Sequence, residues 1–265
     1  MTRFAANLSM LFTEVPLLDR FERAARAGFS CVEVQFPYEA PAQELRDRLV
    51  ANRLKMVMHN LPAGDRAAGD HGIACDPGRV AEFRAGVPKA IAYAKALDVP
   101  LLNCLAGKAP AGADDKLVRQ TFVDNLRFAA RALKADGLKL LIEPINNFDV
   151  PGFWLNRTAL AISVLDEVDA ENAFVQYDVY HAQRHEGDLA NTLSRHITRI
   201  AHVQVADNPG RHEPGTGEIH FGFLFAHLTR IGYTGHIGCE YIPAAGTENG
   251  LPWLEHARRK LRQPA

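Results

Sequence analysis

Four segments of this chain end an apolar run on a side chain that could do chemistry. LKLLIEP stops at Glu143, just before a proline; FVQYDVYH carries Asp178, with His181 three residues on; IAHVQVAD holds Gln204 between valines; HIGCEY ends at Glu240. Each alone has an ordinary explanation, a carboxylate paired in the core or a buried amide satisfying a hydrogen bond. Three carboxylates and an amide at the ends of four consecutive strands would crowd one small volume. Unneutralised, the carboxylates repel and raise one another's proton affinity. A divalent cation removes that conflict. All-oxygen ligation by Glu143, Asp178, Gln204 and Glu240 suits Mg²⁺ or Mn²⁺, with water or substrate filling the remaining positions. Zinc, which favours histidine and cysteine, is the poorer match. Three carboxylates and one M²⁺ sum to a charge of about −1, so a small anionic substrate needs Arg211 or a protonated histidine nearby.

Such convergence requires elements that bring strand ends to one mouth. Eight apolar runs of strand character occur: 3–8, 31–36, 54–59, 99–105, 138–143, 174–178, 200–205 and 236–240. Between them lie amphipathic stretches with helical spacing, such as Val80, Phe83, Val87, Ile91, Ala94 and Leu97, or Phe122, Leu126, Ala129 and Leu133. Asp76-Pro77 suits the start of the first of these, and Pro88 predicts a kink within it. Leu251, Leu254, Arg258 and Leu261 predict a closing helix, with Arg258 at its edge. Eight units of roughly 33 residues match a closed βα barrel of about 250 residues. The expected fold is therefore α/β, a single (β/α)8 TIM barrel over residues 1–265. In that fold the strand-end residues Asn7, Gln35, His59, Asn103, Glu143, Asp178, Gln204 and Glu240 ring one mouth. The Gly- and Asp-rich segments 62–78 and 207–219 are long enough to be functional loops.

The 265 residues include 47% hydrophobic and 23% charged side chains, with a formal net charge of −1, so a sizeable core is affordable and no basic face invites nucleic acid or anionic lipid. No apolar run reaches membrane-spanning length, and MTRFAANLSMLF lacks a leader's cleavage signal. The four separated cysteines read as reduced, mostly buried thiols in a cytoplasmic protein. With neither G-x-G-x-x-G after the first strand nor a P-loop, no nucleotide cofactor is expected.

The strings NLPAGDRAAGDHGIAC from Asn60, QYDVYHAQRHEGDL from Gln176, HVQVADNPGRHEPGTGEI from His202 and GCEY from Gly238 make the chain resemble the hydroxypyruvate isomerase family. That family lies within the xylose-isomerase-like barrels and includes 2-oxo-tetronate isomerases. The resemblance covers essentially the whole chain. It implies Glu143 and Glu240 as an acid/base pair and Glu143, Asp178, Gln204 and Glu240 as ligands of a divalent ion. The implied reaction interconverts hydroxypyruvate and tartronate semialdehyde through an enediolate, whose two oxygens the ion would stabilise. His59, His181 and Arg211 would then hold or polarise the substrate, with His181 equally suited to partner Asp178. Glu218 and His212 are open to purely structural roles, and His185 is expected on a solvated face. The chain departs from the family's pattern at Phe148, where a basic residue is expected, and at His220-Phe221-Gly222, where an Asn-Tyr-Pro-like segment is expected. Alternatives within the same chemistry are a 2-oxo-tetronate isomerase or a ketose 3-epimerase. More distant ones are a nuclease of endonuclease IV type and a non-catalytic barrel that binds a sugar acid. Pairing into a homo-oligomer is left open.

Overall fold

The computed structural model describes residues 3–262; Met1, Thr2 and residues 263–265, the ends of the expected 1–265 domain, lie outside it. All eight predicted runs form strands: β1 (Arg3–Asn7), β2 (Cys31–Glu33), β3 (Lys55–Asn60), β4 (Leu101–Cys104), β5 (Lys139–Ile142), β6 (Ala173–Asp178), β7 (Ile200–Val205) and β8 (His236–Cys239). Every neighbouring pair is parallel, and β1 pairs with β8 to close the barrel. β2 is shorter than its apolar run because the chain turns at Pro37 into a tight 3-10 turn, Pro37–Glu39.

Helices cover the outside: α1 (Leu17–Arg26), α2 (Ala42–Ala51), α3 (Val80–Leu97), α4 (Asp115–Lys134), α5 (Thr158–Val168), α6 (Val179–His185), α7 (Leu189–His196), α8 (Phe221–Arg230) and α9 (Pro252–Arg262). The stripe predicted for α3 is its inner face, with Phe83, Val87, Ala94 and Leu97 buried. Asp76 caps not α3 but the short turn Pro77–Arg79 before it, accepting a bond from the Gly78 amide. α3 continues through Pro88 as one helix. The carboxylate of Asp114 caps α4 by accepting from the Lys116 amide.

The apolar interior has two compartments. The larger lies between the strands' outer faces and the helices. The smaller plugs the barrel itself: Ala5, Cys31, Val57, Met58, Leu101 and Leu141. Strand side chains alternate between faces, so a residue two positions on from an inward one also points inward. Two positions beyond Ala5, Cys31, Val57, Leu101 and Leu141 stand Asn7, Glu33, His59, Asn103 and Glu143, all buried. An apolar floor thus carries a polar storey at the carboxyl ends of the strands, where barrels of this type build their sites. The four cysteines are free and buried. Among the described residues no helix is long and apolar enough to cross a membrane.

Leu141 is fully buried in the floor directly below Glu143. Leu141→Ala should lower unfolding stability by about 2–5 kcal/mol, measured by urea denaturation, since the rigid strands around it cannot collapse into the space.

Candidate active site

The two glutamates of the polar storey are held by side chains from other strands. Glu143, the residue after β5, accepts from Asn103 Nδ2 at 2.8 Å and from Gln176 Nε2 at 2.9 Å. Glu240, the residue after β8, accepts at Oε1 from Gln35 Nε2 at 2.8 Å, Asn7 Nδ2 at 3.1 Å and Gln204 Nε2 at 3.3 Å. Its other oxygen accepts from Arg211 Nη2 at 2.7 Å. Asp178 ends β6 and caps α6, its Oδ1 accepting from the amides of Tyr180 and His181. Its Oδ2 is buried without a hydrogen-bond partner, 3.6 Å from both His181 Nε2 and Arg211 Nη2. Seven of the eight strand-end residues therefore join one network around these acids: Asn7, Gln35 and Asn103 from the first half of the barrel hold the glutamates contributed by the second.

The eighth, His59, is fully buried, with Nδ1 donating to the Asn60 carbonyl at 3.0 Å. Burial pushes its pKa down to about 4, partly opposed by that backbone bond, so the ring is neutral. With the proton on Nδ1, Nε2 is a bare acceptor, buried and unpartnered.

His181 enters the acid cluster more closely than its expected substrate-holding role required: ligand atoms of Glu143, Asp178 and His181 lie within 4.8 Å of one another. Gln204, the expected oxygen donor, accepts at Oε1 from Gln176 Nε2 at 2.6 Å, which leaves that oxygen a second lone pair. Asn146 decides which nitrogen of His181 carries the proton. Asn146 Oδ1 accepts from the amides of Phe148 and Asp149, which leaves its Nδ2 to face His181 Nδ1 at 2.6 Å. Nδ1 accepts, so the neutral ring carries its proton on Nε2, toward Asp178. Burial first, then the charges of Arg211 and Arg184, holds the His181 pKa well below its usual value. The ring is a neutral donor, better suited to an oxygen than to a metal ion.

Arg211 comes from the loop after β7, and Asp207 shapes that loop. Its buried carboxylate accepts four backbone bonds, from Asn208, Gly215, Gly217 and Ile219, at 2.8–3.1 Å. A Cβ at Gly217 would fall 2.2 Å from the Asn208 carbonyl oxygen, so the curl requires glycine there. Arg211 takes a left-handed backbone conformation, φ 58°, at the tip of the curl. Its Nε is buried and unpartnered. The exposed Glu218 accepts from Asn208 and Gln183 on the loop's outside, and His212 Nδ1 lies 2.7 Å from the Ile242 carbonyl, both structural roles. His185 packs half-buried against the exposed Phe148 ring rather than standing on a solvated face.

The xylose isomerase-like TIM-barrel family matches residues 21–257. The hydroxypyruvate isomerase of Escherichia coli (strain K12) is 52% identical over 97% of this chain and 100% of its own length. The chain belongs to the hydroxypyruvate isomerase family. The 2-oxo-tetronate isomerase of Cupriavidus necator is 49% identical over 96% of this chain and 98% of its own. A crystal structure described as an AP endonuclease, family 2, from Brucella melitensis superposes with a TM-score of 0.94 at 42% identity, covering 97% and 99% of the two chains.

In this isomerase the acids are crowded enough to shift one another. Burial, then the charges of Glu240 and Asp178, drives the Glu143 carboxyl well above the ordinary carboxylate range, against the pull of Arg211 and Asn103. Asp178 is pushed up to about 7 by burial and by Glu240, while Arg211 and the backbone amides oppose the rise. Arg211 stays charged, because Glu240, Asp178 and Glu143 outweigh its burial. A buried Asp178 oxygen with no donor, among acids already in charge excess, fits a hard divalent cation.

Because the folded pKa of Asp178 lies above its unfolded value, the folded state holds the proton more tightly. That contribution is complete below about pH 4 and is lost as pH rises through about 7. Asp178→Asn keeps the Oδ1 cap and removes the charge. The metal-free variant should therefore gain melting temperature over metal-free wild type between pH 5 and pH 8; an offset that does not change with pH would contradict the shift.

Proposed function

We propose that the protein interconverts hydroxypyruvate and tartronate semialdehyde (2-hydroxy-3-oxopropanoate), with Glu143 and Glu240 as the acid/base pair, on a small hydroxy- or oxo-acid in the cytoplasm. The observation that carries this reading is a set of buried polar atoms left without partners beside two glutamates: the acceptors His59 Nε2 and Asp178 Oδ2 and the donor Arg211 Nε. Such atoms are costly to leave unpaired and suit a small polyoxygenated ligand. The conversion removes a proton from C3 and, through an enediolate, returns one to C2, while the hydroxyl proton moves from the C3 oxygen to the C2 oxygen, so substrate and product share one formula.

Two carboxyl groups on different strands can face the two carbons, exchanging the roles of base and acid between directions. Burial and its acidic neighbours raise the proton affinity of Glu143 above that of an ordinary carboxylate, which favours its taking up a proton from carbon. Asn103 and Gln176 aim its carboxyl, as Asn7, Gln35 and Gln204 aim that of Glu240. His181 donates from Nε2 to a substrate oxygen, and His59 accepts from a substrate hydroxyl. The free Arg211 Nε, with the charge beside it, binds the substrate carboxylate. Glu143, Asp178, Gln204 and Glu240 would hold a divalent ion, Mg²⁺ or Mn²⁺. Bound there, that ion supplies Lewis-acid stabilisation of charge developing on the enediolate oxygens.

A four-carbon substrate, as for a 2-oxo-tetronate isomerase, is the second reading, favoured by the nearly equal identity to the Cupriavidus necator enzyme. A nuclease of endonuclease IV type needs a histidine-rich zinc cluster and a basic face; here one histidine stands with two carboxylates, and the net charge is −1.

Glu143→Gln and Glu240→Gln should fold normally by circular dichroism and each lose about 10²–10⁴-fold in kcat/KM on hydroxypyruvate. Normal turnover by either variant removes that residue from the pair. Product analysis on hydroxypyruvate and on a four-carbon 2-oxo acid separates the two readings by their kcat/KM ratio. Stripping with a strong chelator should abolish turnover and release the ion, and Mn²⁺ should restore it. Mn²⁺ binding near pH 6.5 should also expel protons from the Glu143–Asp178 pair, read by calorimetry in buffers of different ionisation enthalpy.

A further inference from the structure

Beneath the acid/base pair lies a buried carboxylate that the reaction does not use. Glu33 ends β2 inside the barrel and, like His202 on β7, has no solvent exposure. Its Oε1 lies 2.5 Å from His202 Nε2, and its Oε2 accepts from Gln204 Nε2 at 2.9 Å and Asn7 Nδ2 at 3.2 Å. Strand β8, on the far side of β1, leaves room for it, since a Cβ on Gly238 would fall 2.2 Å from Glu33 Oε1. Burying a carboxylate is expensive, and an apolar pair would fill the same space at less cost.

The position of Glu33 settles the direction of the Gln204 amide. One end of that amide lies between two carboxylate oxygens, Glu33 Oε2 and Glu240 Oε1, and only an NH₂ group can sit there. The other end is then oxygen, and it meets Gln176 Nε2, which also donates to Glu143. The order of groups from Glu240 to Glu143 is carboxylate, amide nitrogen, amide oxygen, amide nitrogen, carboxylate. Reversing Gln204 would set its oxygen against two carboxylates and its nitrogen against the Gln176 nitrogen.

We propose that Glu33, anchored by His202, is a positioning residue that locks the Gln204 amide with its oxygen toward the Glu143 side, where it can serve a divalent ion, and with its nitrogen on Glu240. This rests on the reading of Gln204 as an oxygen donor to that ion. Asn7, shared between Glu33 and Glu240, extends the same hold to the second glutamate.

Glu33→Gln tests it. With its oxygen kept on His202, the new amide presents NH₂ to the Gln204 NH₂, so the acceptor that fixes the Gln204 amide is replaced by a facing donor and its hold is lost. The expected results are a changed side-chain NH₂ signal of Gln204 in ¹⁵N NMR and Mn²⁺ binding weakened about 10–100-fold by calorimetry. A folded variant with an unmoved Gln204 signal and wild-type Mn²⁺ affinity overturns the proposal. Neutron diffraction of the wild-type protein needs no variant: nitrogen toward Glu33 is expected, and oxygen there overturns the proposal even if Glu33→Gln does not fold. All of these readouts are independent of turnover. A wild-type protein inactive on three- and four-carbon oxo acids would sink the proposed reaction while leaving the positioning role standing.

Discussion

Three buried carboxyl groups and the Arg211 guanidinium meet at the carboxyl ends of the barrel strands. That crowding governs the arrangement around it. Outside water, each unpaired oxygen costs free energy and each additional negative charge raises the proton affinity of its neighbours. The barrel answers with amides. Asn7, Gln35, Asn103, Gln176 and Gln204 come from five different strands, and each donates to at least one of the two glutamates. Amides suit this task because they donate without adding charge. They do not satisfy every oxygen of the cluster, and Asp178 Oδ2 stays unpaired.

The positive side of the balance depends on a loop whose shape is set elsewhere. Asp207 gathers four backbone amides and so curls the segment after β7 back over the strand ends. The curl delivers Arg211 between Glu240 and Asp178. A long side chain on a free loop would pay a large entropy cost to reach that place; on a loop already fixed by a buried carboxylate it pays much less. The distinctive string from Asp207 to Ile219 is therefore mostly a support, with Arg211 as the residue that reaches the acids.

Below both lies a second set of polar groups. Glu33, Gln176 and His202 are buried, and through Gln204 and Asn7 they connect the two glutamates from beneath. Asn146 does the same for His181 from the side, by assigning its proton to one nitrogen. The acids are thus oriented by neighbours that are themselves constrained, as a site of this precision requires.

Eight apolar runs divided by amphipathic stretches determined the barrel, because the periods of two and 3.6 residues are local properties of the chain. The same runs named the acids, since a carboxylate that ends an apolar strand is visible in one dimension. Glu33, Gln176 and His202 were hidden by the same logic: each sits inside a strand, where a single polar letter reads as part of the run. The signal was nonetheless there, two residues before Gln35, Asp178 and Gln204, on the face that alternation assigns to the interior. What no spacing could provide was partnership. That Asn103 holds Glu143, that Asn146 sets the tautomer of His181, and that Arg211 lies between two acids are contacts across 29 to 40 residues, or between Arg211 and acids 29 and 33 residues away. Only closure of the barrel brings such residues within hydrogen-bond reach, because the energy of those contacts depends on distance in space and not on distance along the chain.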